Sequence, residues 1–381
     1  MATRVIEVDG IILGPNTDLR GLDLSGMDLK GLSLSNSDLR GVNLTDTNLQ
    51  WSVGYGVDFR GANLTRTIFN RAKLNSSNFK DTILQDTDFV AADISDTNFP
   101  KCELKRCDLT LAKMFRSNFT EADLSSVIVT EGSRFDWATF RNCDLRGTPI
   151  GTGSVEYSNF EGADLRGENL SSWRMEGANF TRANMEKAVI NGLVVEHLTF
   201  DHANLTDAVF RESYIHSRVS MRSATAVRAD FRFTYFNINS NFDGGDFRFA
   251  KFSGGNIRGA TARSADFTGA AFVQTGCRET QFQGSCLAKT KFEDAILIDA
   301  RLRNADLTEA TITRTPANNI NWLGTILNGA ILTEVTICGA DNWDERIADN
   351  KTRYFQVTGP DCYLYEIDNA FDDQGQNFNP G

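Results

Sequence analysis

The sequence is poor in the residues that usually carry chemistry. Its 381 residues include only three His, and none of its seven Cys lies in a CxxC pair. A phosphate-binding Gly loop, a nucleophile elbow and a zinc signature are all missing. His197 and His202 stand five residues apart without nearby Cys, which is a poor pattern for a metal site. We therefore expect no enzyme activity, no catalytic residues, no metal and no cofactor.

Long apolar runs are missing as well. No run of about 18 apolar residues exists, which argues against a membrane span. The start MATRVIEVDGIILG lacks the basic and then apolar pattern of a signal peptide. Seven scattered Cys, an odd number, indicate free and mostly buried thiols in a reducing compartment rather than a disulfide framework. We expect a cytoplasmic or virion-associated protein without membrane contact.

The sequence is instead rich in a five-residue rhythm of apolar residues. These central positions form four runs, Leu19–Val129, Phe135–Ile215, Met221–Phe236 and Phe242–Ile337, separated by slips of one residue. Of the 64 central positions, 59 are Leu, Phe, Ile, Val, Met or Trp, and 21 of the 27 Phe lie there. The residue two positions earlier is mostly small, as a narrow, close-packed interior requires. The residue just before the centre is often Asp or Asn, types suited to corners.

A five-residue period fits neither a helix nor a flat strand. Positions five apart scatter around a helix and alternate between the faces of a strand. The tetrad DLRG stands at 18–21 and again at 38–41, and a second pair stands at 144–147 and 164–167. Five residues per side and twenty per lap predict a coil with four sides, which is a β-solenoid.

The pattern A-[D/N]-[L/F]-x-x, seen in GANLT (61–65), EADLS (121–125) and NADLT (304–308), resembles the pentapeptide-repeat family. The resemblance implies an all-β, right-handed quadrilateral β-helix of about sixteen coils with terminal caps. We expect an N-terminal cap strand at residues 1–16, the β-helix at 17–339 and a non-repeat C-terminal cap or tail at 340–381. Some members of the family mimic DNA and protect type II topoisomerases from quinolones, whereas others are structural or assembly components.

The C-terminal tail is the candidate interface. The rhythm stops after Ile337, and the following residues are too aromatic for a disordered acidic tail. We expect the tail to pack as a cap or to bind a partner through its aromatic residues: Trp343, Tyr354, Phe355, Tyr363, Tyr365 and Phe371. Other candidate contact points are the three slips, at 129–135, 215–221 and 236–242, and irregular coils at 50–59, 147–157 and 314–322.

Charge argues against direct nucleic-acid binding. Arg20, Arg40 and Arg60 would form a basic stripe, but Asp18 and its equivalents run beside it. Residues 340–381 contain nine acidic and three basic residues, so only −5 of the total −11 belongs to the other residues. A duplex mimic needs a continuous negative surface, because DNA carries a charge about every 1.7 Å.

The leading hypothesis is a non-enzymatic, rigid protein-interaction rod. Its partners would be other proteins, such as structural subunits of a phage virion or further copies bound through the C-terminal tail. The alternative is a DNA mimic that binds gyrase and protects it from quinolones. A carbohydrate-active enzyme is a third possibility, and it would need paired carboxylates in a groove.

Overall fold

The structure is a computed structural model that describes residues 6–216 and 218–359 and the backbone of 364–365. The chain comprises two compact units, Met1–Ala183 and Asn184–Gly381. No α-helix occurs in the described ranges, and none of their helices is long and apolar enough to cross a membrane. The prediction of an all-β protein is confirmed.

In both units, parallel β-bridges join residues of neighbouring coils that are one lap apart in the sequence. In the first unit, Asp18 pairs with Asp38 and Asp38 pairs with Asp58, while Asp23 pairs with Asn43 on the next side. Bridge positions thus recur every five residues along the chain and every twenty residues between neighbouring coils. This is the four-sided β-solenoid that the sequence predicts.

Longer strands are few, because each side of the coil is only five residues long. They are β1 (Glu7–Val8), β2 (Ile11–Ile12), β3 (Val194–Val195), β4 (Leu198–Thr199), β5 (Tyr214–Ile215), β6 (Val219–Ser220), β7 (Tyr235–Phe236), β8 (Ala271–Val273), β9 (Lys291–Glu293), β10 (Thr311–Thr313), β11 (Ile331–Thr333), β12 (Arg353–Phe355), β13 (Val357–Thr358) and β14 (Leu364–Tyr365). Two 3₁₀ turns lie at Ile150–Thr152 and Trp343–Glu345. Strands β8 to β12 form one parallel sheet, β3, β5 and β7 a second, and β4 and β6 a third. The pairs β1–β2 and β13–β14 are antiparallel.

The core of each unit consists of stacked central side chains. Every central position from Leu19 to Ile337 is buried, and Phe rings of successive coils stack, as Phe59 does on Phe79 at 4.7 Å. Offset-stacked and edge-to-face aromatic pairs add stability beyond the apolar area that they bury. Small residues beside the rings are often Thr or Ser, whose hydroxyls donate to a carbonyl of the coil before; Thr47 donates to Leu24 at 2.8 Å. These bonds satisfy polar groups that would otherwise be buried in the core without a hydrogen-bond partner.

The corners fall two residues after each central position. Backbone φ is positive at most of these corners, as at Gly21 and Asn36, in the left-handed region that favours Gly and Asn. The expectation that the Asp or Asn just before the centre forms the corner is wrong, since Asp18 and Asp38 form a bridge on a flat side. The Asp18 carboxylate instead accepts a hydrogen bond from the backbone N–H of Arg20 at 3.2 Å, on the way to the corner.

The three register slips are confirmed. Bridges that cross a slip join residues twenty-one apart: Lys113 to Arg134, Val209 to Asp230 and Tyr235 to Asn256. Of the three irregular coils, only 147–157 leaves the regular path, through its 3₁₀ turn. Val53 and Pro316 keep regular bridges in the other two.

The coil path continues after the pentapeptide rhythm ends. Strand β12 pairs in parallel with β11, and Thr358 pairs with Thr336. The offset between partners grows in two steps: it is 21 residues for Ile326 and Ile347, after the 3₁₀ turn at Trp343–Glu345, and 22 residues for Ile331 and Arg353. At the other end, β1 and β2 form a hairpin rather than the single strand expected there.

The second unit contains a buried carboxylate that is paired with two arginines. Asp230 is 6% exposed and accepts hydrogen bonds from Arg211 at 2.6 Å and from Arg232 at 2.8 Å. Burial alone would raise the pKa of Asp230, but the two guanidinium groups outweigh it and lower the pKa to about 2. The charged form is therefore the one that stabilises the fold.

We expect Asp230→Asn to lower the free energy of unfolding at pH 7 by about 1–2 kcal/mol. A carboxylate whose pKa falls on folding stabilises above its unfolded pKa, near 3.8, and loses that effect as the pH drops towards 2. The gap between wild type and variant should thus close between pH 4 and pH 2 in chemical unfolding curves. Asp18→Asn is the control: both side chains of the Asp18–Arg20 pair are more than half exposed, and water screens such a pair so that its lowered pKa contributes little to stability. A constant gap across this pH range would contradict the assignment.

Candidate protein-interaction surfaces

The described part of the C-terminal candidate interface packs against the last coils. Trp343 contacts the fully buried Trp322 edge to face, with ring centroids 5.0 Å apart. The Arg346 guanidinium lies 4.0 Å from the Trp343 ring centroid, and the Tyr354 ring lies 6.1 Å from it. Tyr354 is only 6% exposed. Trp343 and Tyr354 are thus placed to close the end of the core.

Phe355 is the predicted interface residue that projects outward. It is 41% exposed on β12, one residue after the buried Tyr354. Tyr363 and Phe371 lie outside the described residues, and only the backbone of Tyr365 is described. An interface role for the six aromatic residues therefore stays a prediction.

Cysteine and histidine provide no chemical centre in the described ranges. Cys102, Cys107, Cys143 and Cys277 are free and buried, and burial raises the pKa of the Cys102 thiol to about 12. Such thiols are inert because the reactive form is the thiolate. The expectation of free thiols fails at one position, since Cys338 is disulfide-bonded. No group of three or more possible metal ligands occurs among the described residues.

A shallow open cleft of about 490 Å³ lies at a corner of the second unit. Polar residues and Gly line it: His202, Arg222, Ser223, Asp243, Gly244, Arg263 and Ser264. Asp201 holds Arg222 through two hydrogen bonds. Asp243 is the one carboxylate in the lining, so the cleft does not provide the pair that glycoside hydrolysis uses.

The predicted basic stripe is a charge-balanced ladder. Arg20 bonds Asp18 at 2.6 Å, and its Nε lies 3.6 Å from Asp38 in the next coil. Arg40 repeats the arrangement with Asp38, and Arg60 repeats it with Asp58. The Arg20 hydrogen bond holds the pKa of Asp18 down at about 2. This side of the coil therefore has neither an unpaired basic stripe nor an unpaired acidic one.

One side of the second unit carries an exposed apolar patch. We call it the tyrosine side: its outward positions are 194, 214, 235, 256, 276, 296, 316, 336 and 358. Neighbours in that order form parallel bridges, except at 296 and 316, where the Leu297 N–H donates to the Pro316 carbonyl at 2.9 Å. The patch comprises five side chains that are 40% to 64% exposed: Val194, Tyr214, Phe233, Tyr235 and Ile238. Tyr214 and Tyr235 stack at 4.9 Å with their rings 2° from parallel. Aromatic side chains exposed in this way are enriched at protein interfaces.

Glycines in the next coil hold two of these side chains in place. A Cβ on Gly254 would lie 2.5 Å from the Phe233 ring, and one on Gly259 would lie 3.1 Å from Ile238. Both glycines have a positive φ at a corner. The missing Cβ leaves the space that Phe233 and Ile238 occupy. These exposed groups are therefore pre-organised, which reduces the entropy lost when a partner binds.

The first unit has a smaller aromatic feature of the same kind. Trp137 and Tyr157 occupy the same corner in successive coils and stack at 4.6 Å. A Cβ on Gly177, one coil further on, would lie 2.3 Å from the Tyr157 ring. Trp137 is 53% exposed and Tyr157 is 43% exposed.

Reasoning from the sequence alone missed the patch, although the sequence contains its signal. The outward position before a central residue is often Asp or Asn, whereas Val194, Tyr214 and Tyr235 are apolar or aromatic. Two of the three slips, at 215–221 and 236–242, begin directly after the two tyrosines. A tyrosine at an outward position directly before a slip is the combination that marks this surface.

Two family models match the sequence. The model described as Pentapeptide repeat region matches residues 62–133. The model described as Pentapeptide repeats (8 copies) matches residues 16–46, 157–192, 238–275 and 277–314. Together they cover more than half of the chain. A comparison with curated proteins finds no significant match.

Solved structures show a likeness at low identity. HetL, a pentapeptide repeat protein involved in heterocyst differentiation regulation in the cyanobacterium Nostoc, is 18% identical over 92% of each chain, with a TM-score of 0.15. Full-length QnrB1, a plasmid-mediated fluoroquinolone resistance protein, is 16% identical over 64% of this chain and 92% of its own, with a TM-score of 0.21. The tailspike of E. coli bacteriophage HK620 is 12% identical over 89% of this chain and 70% of its own, with a TM-score of 0.22. At these TM-scores the likenesses carry no argument about function.

Alanine substitutions should distinguish the capping residue Trp343 from the exposed Phe355 by their effects on stability. We expect Trp343→Ala to lower the free energy of unfolding by about 2 kcal/mol, because it removes a half-buried indole from Trp322. Phe355→Ala, the matched control, should cost less than about 1 kcal/mol, since a large part of its ring already meets water. Urea unfolding of both variants measures the difference. Equal losses would contradict a capping role for Trp343.

Proposed function

We propose that this chain, which belongs to the pentapeptide-repeat family, acts as a non-enzymatic scaffold that binds a partner protein. The observation that carries the proposal is the pre-organised patch of Val194, Tyr214, Phe233, Tyr235 and Ile238. Exposed aromatic residues provide large contact area at a low entropy cost. The setting that we propose is a larger assembly such as a phage virion.

The size of the patch suits a modest interface. Three half-exposed aromatic side chains together with Val194 and Ile238 offer roughly 500 Å² of apolar surface, near the upper end for the largest patch of a monomer. Stable interfaces bury about 800 Å² per partner. A partner would therefore contact the patch and also the polar residues around it.

The alternative function is that of a DNA mimic bound to a type II topoisomerase. It needs a continuous negative surface. The pairing of Asp18, Asp38 and Asp58 with Arg20, Arg40 and Arg60 weighs against it on that wall. We therefore favour the scaffold.

Two assays test the scaffold. Affinity capture from the native source should recover a defined partner with the wild-type chain and lose it with the double variant Tyr214→Ser/Tyr235→Ser. Ile296→Ser is the matched control, because Ile296 is an exposed apolar residue on the same side but outside the patch. Capture that is equal with all three chains would contradict the assignment of the patch.

The second assay uses gyrase supercoiling with and without a quinolone. We expect no inhibition and no protection at micromolar concentrations of the chain. Either effect would favour the DNA mimic and contradict the scaffold.

A further inference from the structure

The side of the second unit that precedes the tyrosine side along the chain is basic. We call it the basic side: its outward bridge positions are 209, 230, 251, 271, 291, 311, 331 and 353, and it includes the sheet of β8 to β12. These positions and those two residues after them carry more cations than carboxylates: Arg211, Arg232, Lys251, Lys291 and Arg353 against Asp230 and Glu293. A chain with a net charge of −11 thus has an excess of positive charge on this side.

The excess is concentrated around Asp230. Arg211 and Arg232 both bond to this one carboxylate, and neither forms an ion pair with another described residue. Lys251 is bridged to Asp230 in the next coil, so its Cα lies about 4.8 Å away. Lys251 is exposed and has no ion pair within the part of the chain that the structure describes. We call Arg211, Arg232 and Lys251 the cation site: three positive charges with one buried carboxylate among them.

Hydrogen bonds hold both guanidinium groups of the cation site in place. Arg232 donates from Nε to one oxygen of Asp230 at 2.9 Å and from Nη2 to the other at 2.8 Å. Arg211 donates from Nε and Nη2 to Oδ2 of Asp230 at 2.8 and 2.6 Å. Neither Nη1 group has a partner among the described residues, and the two side chains are 45% and 34% exposed. These N–H groups are therefore pre-organised to bind a second carboxylate.

The corners of these three coils contain two further carboxylates. Asp207 bonds Arg228 at 2.6 Å, so its charge is matched. Glu212, next to Arg211 in the sequence, forms no ion pair with a described residue. Even with Glu212 counted against it, the cation site retains one positive charge in excess. An occupant of the site must therefore be negative.

The cation site adjoins the apolar patch. Phe233 lies at the corner where the basic side meets the tyrosine side, directly after Arg232 and two residues before Tyr235. Its backbone N–H donates to the carbonyl of Ser253, in the coil that contains Lys251. A partner that covers Phe233 and Tyr235 therefore also reaches Arg232 around the corner.

We propose that the cation site binds carboxylates of an acidic segment in the partner protein that covers the apolar patch. The inference rests on the proposed function and names the chemistry of that partner, which is Asp or Glu beside apolar side chains. Charge complementarity selects this occupant, because Lys251 and the two arginines would repel a basic segment. A free oxyanion would occupy the cation site and leave the patch uncovered.

Synthetic polymers test the site without the native partner. Polyglutamate offers carboxylates alone, and a copolymer of glutamate and tyrosine offers carboxylates with aromatic groups. Both should bind the wild-type chain at low salt, the copolymer more tightly, and added salt should weaken both because it screens ion pairs. Fluorescence anisotropy of the labelled polymers measures binding. The proposal is overturned if neither polymer binds, or if the copolymer binds no more tightly than polyglutamate.

Lys251→Glu locates the binding, because this side chain has no ion pair to lose and the fold should be kept. The charge reversal should weaken binding of both polymers roughly five- to tenfold at low salt. Lys73→Glu is the matched control, since Lys73 is exposed at an outward bridge position beside Asp93 in the first unit. Arg211→Gln, with its folding checked by urea unfolding, should weaken binding roughly two- to fivefold. Equal weakening by Lys251→Glu and Lys73→Glu overturns the proposal.

The tyrosine variant separates this inference from the proposed function. Tyr214→Ser/Tyr235→Ser should remove the advantage of the copolymer and leave polyglutamate binding unchanged. Partner capture that survives this variant, with polyglutamate still bound at the cation site, would count against the proposed function alone. Partner capture that depends on the two tyrosines, without binding of either polymer, would count against the cation site alone.

Discussion

The parallel hydrogen bonding between one coil and the next is the constraint on which the rest of the structure depends. Each bridge joins residues one lap apart, as Asp18, Asp38 and Asp58 do, so every lap must repeat the same path. That repetition stacks Phe59 on Phe79 inside and Arg40 beside Arg20 outside. The same constraint places exposed residues in straight columns, which is how three separate coils bring Val194, Tyr214 and Tyr235 together.

The lap could be predicted from the sequence because the interior admits few residue types. Central Phe and Leu with small neighbours mark every side, and the three one-residue slips are visible as breaks in that pattern. The outer residues obey no such restriction, so sequence reasoning placed Asp18 at a corner although it lies on a flat side. Trp343 and Tyr354 were identified from their aromatic character. The packing of Trp343 on Trp322, and of Tyr354 on Trp343, involves a 3₁₀ turn that the five-residue period does not predict.

The interior repeats the same packing in every coil, so the features that could distinguish one side from another lie on the surface. The Asp–Arg ladder cancels its own charge, whereas the tyrosine side combines exposed rings with two arginines and has no Asp or Glu at its outward bridge positions from Tyr214 to Thr358. Gly254 and Gly259 serve that surface by leaving room for Phe233 and Ile238.

Engineered disulfides test the register most directly. Asn63 and Ile83 form a bridge in adjacent coils, so their Cα atoms lie within the range that a disulfide spans, about 4.4–6.8 Å. A chain with Cys at both positions should form an intramolecular disulfide on mild oxidation, whereas a chain with Cys at Asn63 and Ile68, on neighbouring sides, should not. Closure of the second pair, or failure of the first, would contradict the twenty-residue lap.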